Sequence, residues 1–232
     1  MFNRHATLPL WAEKSDSQKL ETLHGMMLDL YAYTLAPARH ALRQTLLSHT
    51  PTDEKERADT AQILAWLETH PHLFHQSCEV GHLTGSGLVL DLTSGKVLLH
   101  YHKNLHKWLQ FGGHSDYDTD LAVTALREAR EESGLPDLQF FPLGESPRLL
   151  DVDVHAIPAR QERPAHLHLD LRYLLATRLP AQAAPPAGES HLLRWISPAE
   201  LATLTSEIAP PLQRLIRKGF AAYPEPATIY GE

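Results

Sequence analysis

Between residues 16 and 70 the apolar positions recur at helical spacing. Leu20, Leu23, Met27 and Leu30 step by three and four, and Ile63, Trp66 and Leu67 do so later; such a stripe marks a helix with one buried face. Asp53 and Glu56 stand at the spacing of a capping pair at the start of the later helix. Pro37, Pro51 and Pro71 punctuate the segment. The pattern predicts two or three helices over 16–70, within a helical extension (1–75) ahead of a main domain (76–232). The extension is expected to pack on that domain or on a second subunit of a homodimer; a lid over a substrate is the sharper alternative.

After residue 80 the period drops to two, the alternation of a strand. Residues 85–92 and 96–101 are β-rich runs separated by the turn signal Thr93-Ser94-Gly95. Polar and apolar residues alternate in 151–155, which sends Asp151, Asp153 and His155 to one face, and in 166–172, which does the same for His166, His168, Asp170 and Arg172. Residues 192–196 form a last strand. Ser197-Pro198-Ala199-Glu200 has the form of a capping box with proline at the first helical position, so closing helices are predicted at 198–205 and 210–220. In between, 120–133 reads as a helix, capped by Asp118, Thr119 or Asp120 and ended by Gly134. Its apolar face is narrow and mostly small: Ala122, Ala125, Leu126 and Ala129. Small side chains let that helix lie close to a sheet.

Composition narrows the class. The 232 residues carry a formal charge of −7, which argues against a general nucleic-acid scaffold and leaves room for a small anionic ligand whose charge a metal would neutralise. The single cysteine, Cys78, excludes an internal disulfide and is read as a packing residue rather than a nucleophile. No apolar run approaches the roughly 20 residues of a membrane span, and the amino-terminal stretch has no apolar signal-peptide core. A cytoplasmic protein without a membrane partner is expected.

The chemistry lies in the 120–133 helix. Glu128, Glu131 and Glu132 fall at i, i+3 and i+4 and share one helix face. Like charges there repel, whereas a cation held between hard oxygen donors would reverse the sign, which suits Mg²⁺ or Mn²⁺. Glu128 and Glu132 are the first choice as direct ligands, with Glu131 as a further ligand or one acting through water.

These residues resemble the Nudix box of the Nudix hydrolases. Gly113, Arg127-Glu128, the apolar Ala129, Glu131-Glu132 and Gly134-Leu135 fall at the pattern's spacings. Thr119 departs from it, standing where the pattern has its first glutamate; Asp118 and Asp120 flank it and either could partly stand in. The resemblance implies an αβα sandwich, an α/β fold with a mixed sheet between helices. It implies metal-dependent hydrolysis of a pyrophosphate linkage in a nucleoside diphosphate derivative, with the Gly112 carbonyl near the ion and Arg127 holding the glutamates. The general base falls to Glu131 or to Glu189 in the loop before the last strand. Substrate contacts are expected from His114, directly after the double glycine, and from the alternating strands through His155, His166, His168, Asp170 and Arg172. The same histidines could instead hold a second metal, and the polar faces could instead be covered by the amino-terminal helices. A Nudix-like binding or regulatory module that has lost turnover is the rival reading, resting on Thr119 alone.

Overall fold

The computed structural model describes residues 14–103, 105–115, 118–160, 163–187, 192–204 and 206–223. Three helices come first: α1 (Asp16–Thr34), α2 (Ala36–Ser48) and α3 (Glu54–Thr69). Then follow β1 (Gly81–Asp91), β2 (Val97–His102), β3 (Lys107–Leu109), β4 (Phe111–His114) and α4 (Leu121–Ser133). The chain closes with β5 (Gln139–Phe140), β6 (Leu149–Ile157), β7 (His166–Thr177), β8 (Leu193–Ile196), α5 (Pro198–Thr203) and α6 (Pro210–Ala222). The order along the sheet is β3-β2-β1-β7-β5, with β4 also on β1, β6 on β7 and β8 on β2. β1 and β7 run parallel in unbroken register, from Gly81 opposite Leu167 to Asp91 opposite Thr177, and the other pairings are antiparallel.

Alternation along β1 and β7 gives the sheet two covered faces. Leu83, Leu169 and Leu171 pack with Ile63 and Leu67 of α3 and with Leu121, Ala122 and Ala125 of α4. Leu88, Leu90 and Leu174 point the other way, onto Leu201 of α5 and Leu212, Leu215 and Ile216 of α6. The result is the expected αβα sandwich around a mixed sheet, with α2 and α3 sharing a core with it. The closeness of α4 is set from both sides. Its small face is matched by glycines in the strand, because a Cβ on Gly85 would lie 2.4 Å from the Leu121 carbonyl oxygen and one on Gly87 3.3 Å from that of Ala125.

β6 lies at the edge of the sheet, where unpaired backbone groups invite aggregation. Here they are capped by charged side chains. Glu56 and Asp59 of α3 accept the N–H groups of Val152 and Val154 at 3.2 and 3.0 Å. Lys218, Arg214 and Lys55 donate to the carbonyls of Leu150, Val152 and Val154. This corrects one sequence expectation. Asp53 does cap α3, accepting the Glu56 N–H at 2.8 Å, but Glu56 does not complete a capping box. Its fully buried side chain turns to Lys218, His49, the Thr52 N–H and the β6 edge. A buried carboxylate needs several donors, and the strand edge supplies what the helix start does not.

The amino-terminal stripe is helical as predicted, yet Leu20, Leu23, Met27 and Leu30 remain 46% to 69% exposed on α1. The anchoring of the extension comes instead from α2 and α3, through Leu42, Leu46, Ile63 and Leu67. Cys78 packs against the same core, and burial raises its thiol pKa, as expected of a packing residue.

Candidate active site

The box helix is built by local rules. Asp120 accepts the Ala122 N–H at 2.9 Å as the N-cap. Gly134 takes the left-handed conformation (φ 69°) and its N–H closes on the Arg130 carbonyl. With its small face pressed on β1, α4 carries Glu128 and Glu132 alongside β4, where Gly112 and Gly113 pair with Ser86 and Gly85. The Gly112 N–H donates to Glu132 Oε2 at 3.1 Å. A Cβ on Gly113 would sit 2.6 Å from Glu128 Cδ and 2.7 Å from its Oε1. The double glycine is therefore the floor against which two box carboxylates lie.

Arg127 ties the arrangement together. Its Nη1 donates to Glu128 Oε1 at 2.7 Å and Glu131 Oε2 at 3.3 Å, its Nε to Asp118 at 3.3 Å, and its Nη2 to the His114 carbonyl at 3.0 Å. Burial opposes its charge, but the carboxylates outweigh that and raise its pKa. One guanidinium thus fixes the loop after β4 to the helix. Asp118, next to Thr119, supplies a carboxylate to Arg127 and accepts from the Thr124 hydroxyl, whereas Asp120 is used up as the cap. Glu128 is 15% exposed and Glu131 60%, so the carboxylate face runs from the sheet edge into solvent.

The Nudix domain family model matches residues 82–218, more than half of the chain. The chain belongs to the Nudix family. Similar solved structures include a Nudix-family hydrolase from Clostridium perfringens, at 27% identity and TM-score 0.46 over 62% of this chain and 98% of that one. An Ap4A hydrolase from C. elegans is 19% identical, with TM-score 0.41 over 60% of this chain and 96% of that one. The E. coli dihydroneopterin triphosphate pyrophosphohydrolase is 11% identical, with TM-score 0.45 over 61% of this chain and 96% of that one. A search of curated proteins finds no match. As a Nudix hydrolase domain, the protein is an acid-anhydride hydrolase of the pyrophosphohydrolase type.

The remaining residues singled out from the sequence of this Nudix protein separate into two groups. Asp170 and Arg172 do not form an open wall. They are 1% and 4% exposed. Asp170 accepts from Thr84, Ser86, Gln110 and Arg172, and Arg172 also donates to Asp151 and Asp153. Arg214 of α6 closes the network on Asp151 at 2.7 Å. The polar stripe is thus covered, as the alternative to a cleft wall required, and its charges are matched to one another. His114, His155, His166 and His168 do come together, and with them His82, which the sequence reading missed. His82 pairs with His168 across β1 and β7, and His155 with His168 across β6 and β7. The rings of His114, His166 and His168 lie 4.9, 5.0 and 4.9 Å from that of His82. The missed signal was His82-x-Thr84-x-Ser86, an alternation that continues β1 ahead of Gly85. Burial, with repulsion from neighbouring imidazoles, lowers the pKa of His82 to about 4 and of His168 to about 2, so both are neutral near pH 7. Glu189 lies outside the described residues.

A Gly113→Ala substitution should reveal how closely the floor and Glu128 are matched. The added methyl takes the space of the Glu128 carboxylate, so turnover is expected to fall on the order of 100-fold, the cost of a displacement of about 1 Å. Thermal denaturation followed by circular dichroism should show a far smaller effect. Turnover within twofold of wild type would mean that Glu128 is not held where the chemistry needs it.

Proposed function

We propose that this Nudix protein cleaves the pyrophosphate linkage of a nucleoside diphosphate derivative by water attack on phosphorus, with Mg²⁺ or Mn²⁺ held by Glu128, Glu132, Glu131 and the Gly112 carbonyl. The observation that carries the reading is the glycine floor, which has room for the Glu128 carboxylate only because Gly113 has no side chain. The donors are all oxygens, the set that hard divalent ions take. A bound ion would offset the charge of the phosphate oxygens and favour ionisation of an attacking water. Arg127 orients the carboxylates, and its hydrogen bond to Asp118 supports a working box despite Thr119. Glu131, more open to solvent, is positioned to take a proton from water; Glu189 is the alternative base. His155, at the margin of the histidine cluster, is suited to donate to a phosphate or sugar oxygen of the substrate.

No helix among the described residues is long and apolar enough to cross a membrane. The reading includes a cytoplasmic setting and a homodimer that covers the apolar stripe of α1.

The test is a panel of dinucleotides, nucleotide sugars and nucleoside triphosphates incubated with untagged protein and Mg²⁺ or Mn²⁺, with phosphate-containing products followed. Products are expected from wild type and absent with Glu132→Gln. Products that persist in that variant would move the activity to another site, and no product from any substrate would favour a binding module without turnover. Glu131→Gln and Glu189→Gln in the same assay separate the two bases, since activity within a few-fold of wild type removes a residue from that role.

A further inference from the structure

The sheet brings a second set of ligand-type side chains together, made of nitrogen rather than oxygen. His82 on β1, His114 on β4 and His168 on β7 each offer one ring nitrogen, and these atoms all lie within 4.8 Å of one another. Strand pairing fixes their backbones: His82 sits opposite His168, and His114 opposite Thr84, two residues along from His82. His82 is 2% exposed, and its ring nitrogens have no well-formed hydrogen bond, only a weak approach to the Cys78 backbone. A buried polar atom without a good partner is costly, and a phenyl ring would fill the same space without that cost. An imidazole at this place needs another explanation.

We propose that His82, His114 and His168 form a zinc site, distinct from the carboxylate site on the box helix. Three imidazoles are a donor set for a borderline divalent ion and a poor one for Mg²⁺. Zn–N bonds of about 2.0–2.1 Å in a tetrahedron put ligand nitrogens about 3.4 Å apart, so the rings need to draw in by rotation about their side-chain bonds, with the strands unmoved. A cavity of about 30 Å³, enough for a water, borders two of the three histidines, His82 and His114, beside Leu83 and Ser115. His166 flanks the site, its Nδ1 donating to the Pro164 carbonyl at 2.9 Å and its ring stacked on His82. That bond occupies Nδ1 and turns Nε2 toward the cluster as a second candidate for the fourth ligand. The ion would join three strands next to Gly112 and Gly113, leaving His155 to the substrate.

The experiment uses the untagged full chain, stripped of metal and dialysed, titrated with Zn²⁺ in excess free imidazole. Calorimetry and elemental analysis are expected to give one zinc per chain, and Co²⁺ a tetrahedral visible spectrum. His168→Gln and His114→Asn should each weaken binding at least tenfold, whereas His40→Gln, at an exposed position of α2, and Glu132→Gln should leave it unchanged. X-ray absorption at the zinc edge of wild-type protein should show imidazole scatterers in the first shell, a readout that needs no variant to fold. Unchanged stoichiometry and affinity in His168→Gln and His114→Asn, or an oxygen-only first shell, would overturn the site. Loss of zinc in Glu132→Gln would overturn its separateness from the box, whatever the outcome of the hydrolysis assay.

Discussion

Replacement of Glu128 by Gln is expected to lower turnover by about 100-fold or more while leaving the fold intact. The amide has the size of the carboxylate and can still accept from Arg127 Nη1, now at 2.7 Å, so the geometry is preserved and only the charge is lost. Loss of a partner that merely orients a metal ligand costs about 10–100-fold; loss of a direct anionic ligand should exceed that. Stability should move little. Glu128 faces Glu131 and Glu132 at i+3 and i+4, and relief of that repulsion, a few tenths of a kcal/mol, offsets the weakened ion pair with Arg127. The measurement is kcat and KM across a Mg²⁺ titration, with thermal melts in parallel. A variant that keeps more than a tenth of wild-type turnover at saturating metal would show that Glu128 is not a ligand.

Arg172→Met should do the reverse, with a large effect on stability. Arg172 is buried against Asp151, Asp153 and Asp170, at 3.3, 2.8 and 2.8 Å. The variant leaves those carboxylates facing one another without their shared cation, and breaking a buried ion pair from one side costs about 3–5 kcal/mol. Against a typical total of about 5–15 kcal/mol, this is a large share, readable as a shift in the urea midpoint. Acid should act on the same groups. Burial pushes the Asp153 carboxyl up, but His155, Arg172 and Lys55 outweigh it and hold its pKa well below the usual carboxylate range; Glu56 is held down likewise by His49, Lys218 and the Thr52 N–H. Their contribution is therefore full above the unfolded pKa of about 4 and is lost as pH falls below it. If Arg172→Met left the urea midpoint unchanged yet abolished activity, the residue would belong to the substrate site after all.

Much of this was legible in the sequence because it is local. The box helix announces itself through Asp120, the alanine face and Gly134, each acting within one or two turns, and Ser197 forms its box with Glu200 as the spacing predicts. Period two put Asp170 and Arg172 on a common face. Alternation says which residues share a face and is silent on what covers it, so the burial of that face could not be read. Glu56 shows the same limit, because its spacing to Asp53 is that of a capping pair while its partners come from β6 and α6.

The residues alone determined the Nudix box and the helix that carries it, since caps, periods and turn glycines depend on near neighbours along the chain; the layered α/β class followed from the resemblance that the box carries. The tertiary structure decided the rest: that Gly85 and Gly87 admit α4 onto β1, that Glu128 rests on Gly113, that charged side chains seal the β6 edge, and that His82 meets His114 and His168. Those contacts join residues far apart in sequence. They exist only once parallel pairing of β1 with β7 has fixed the register.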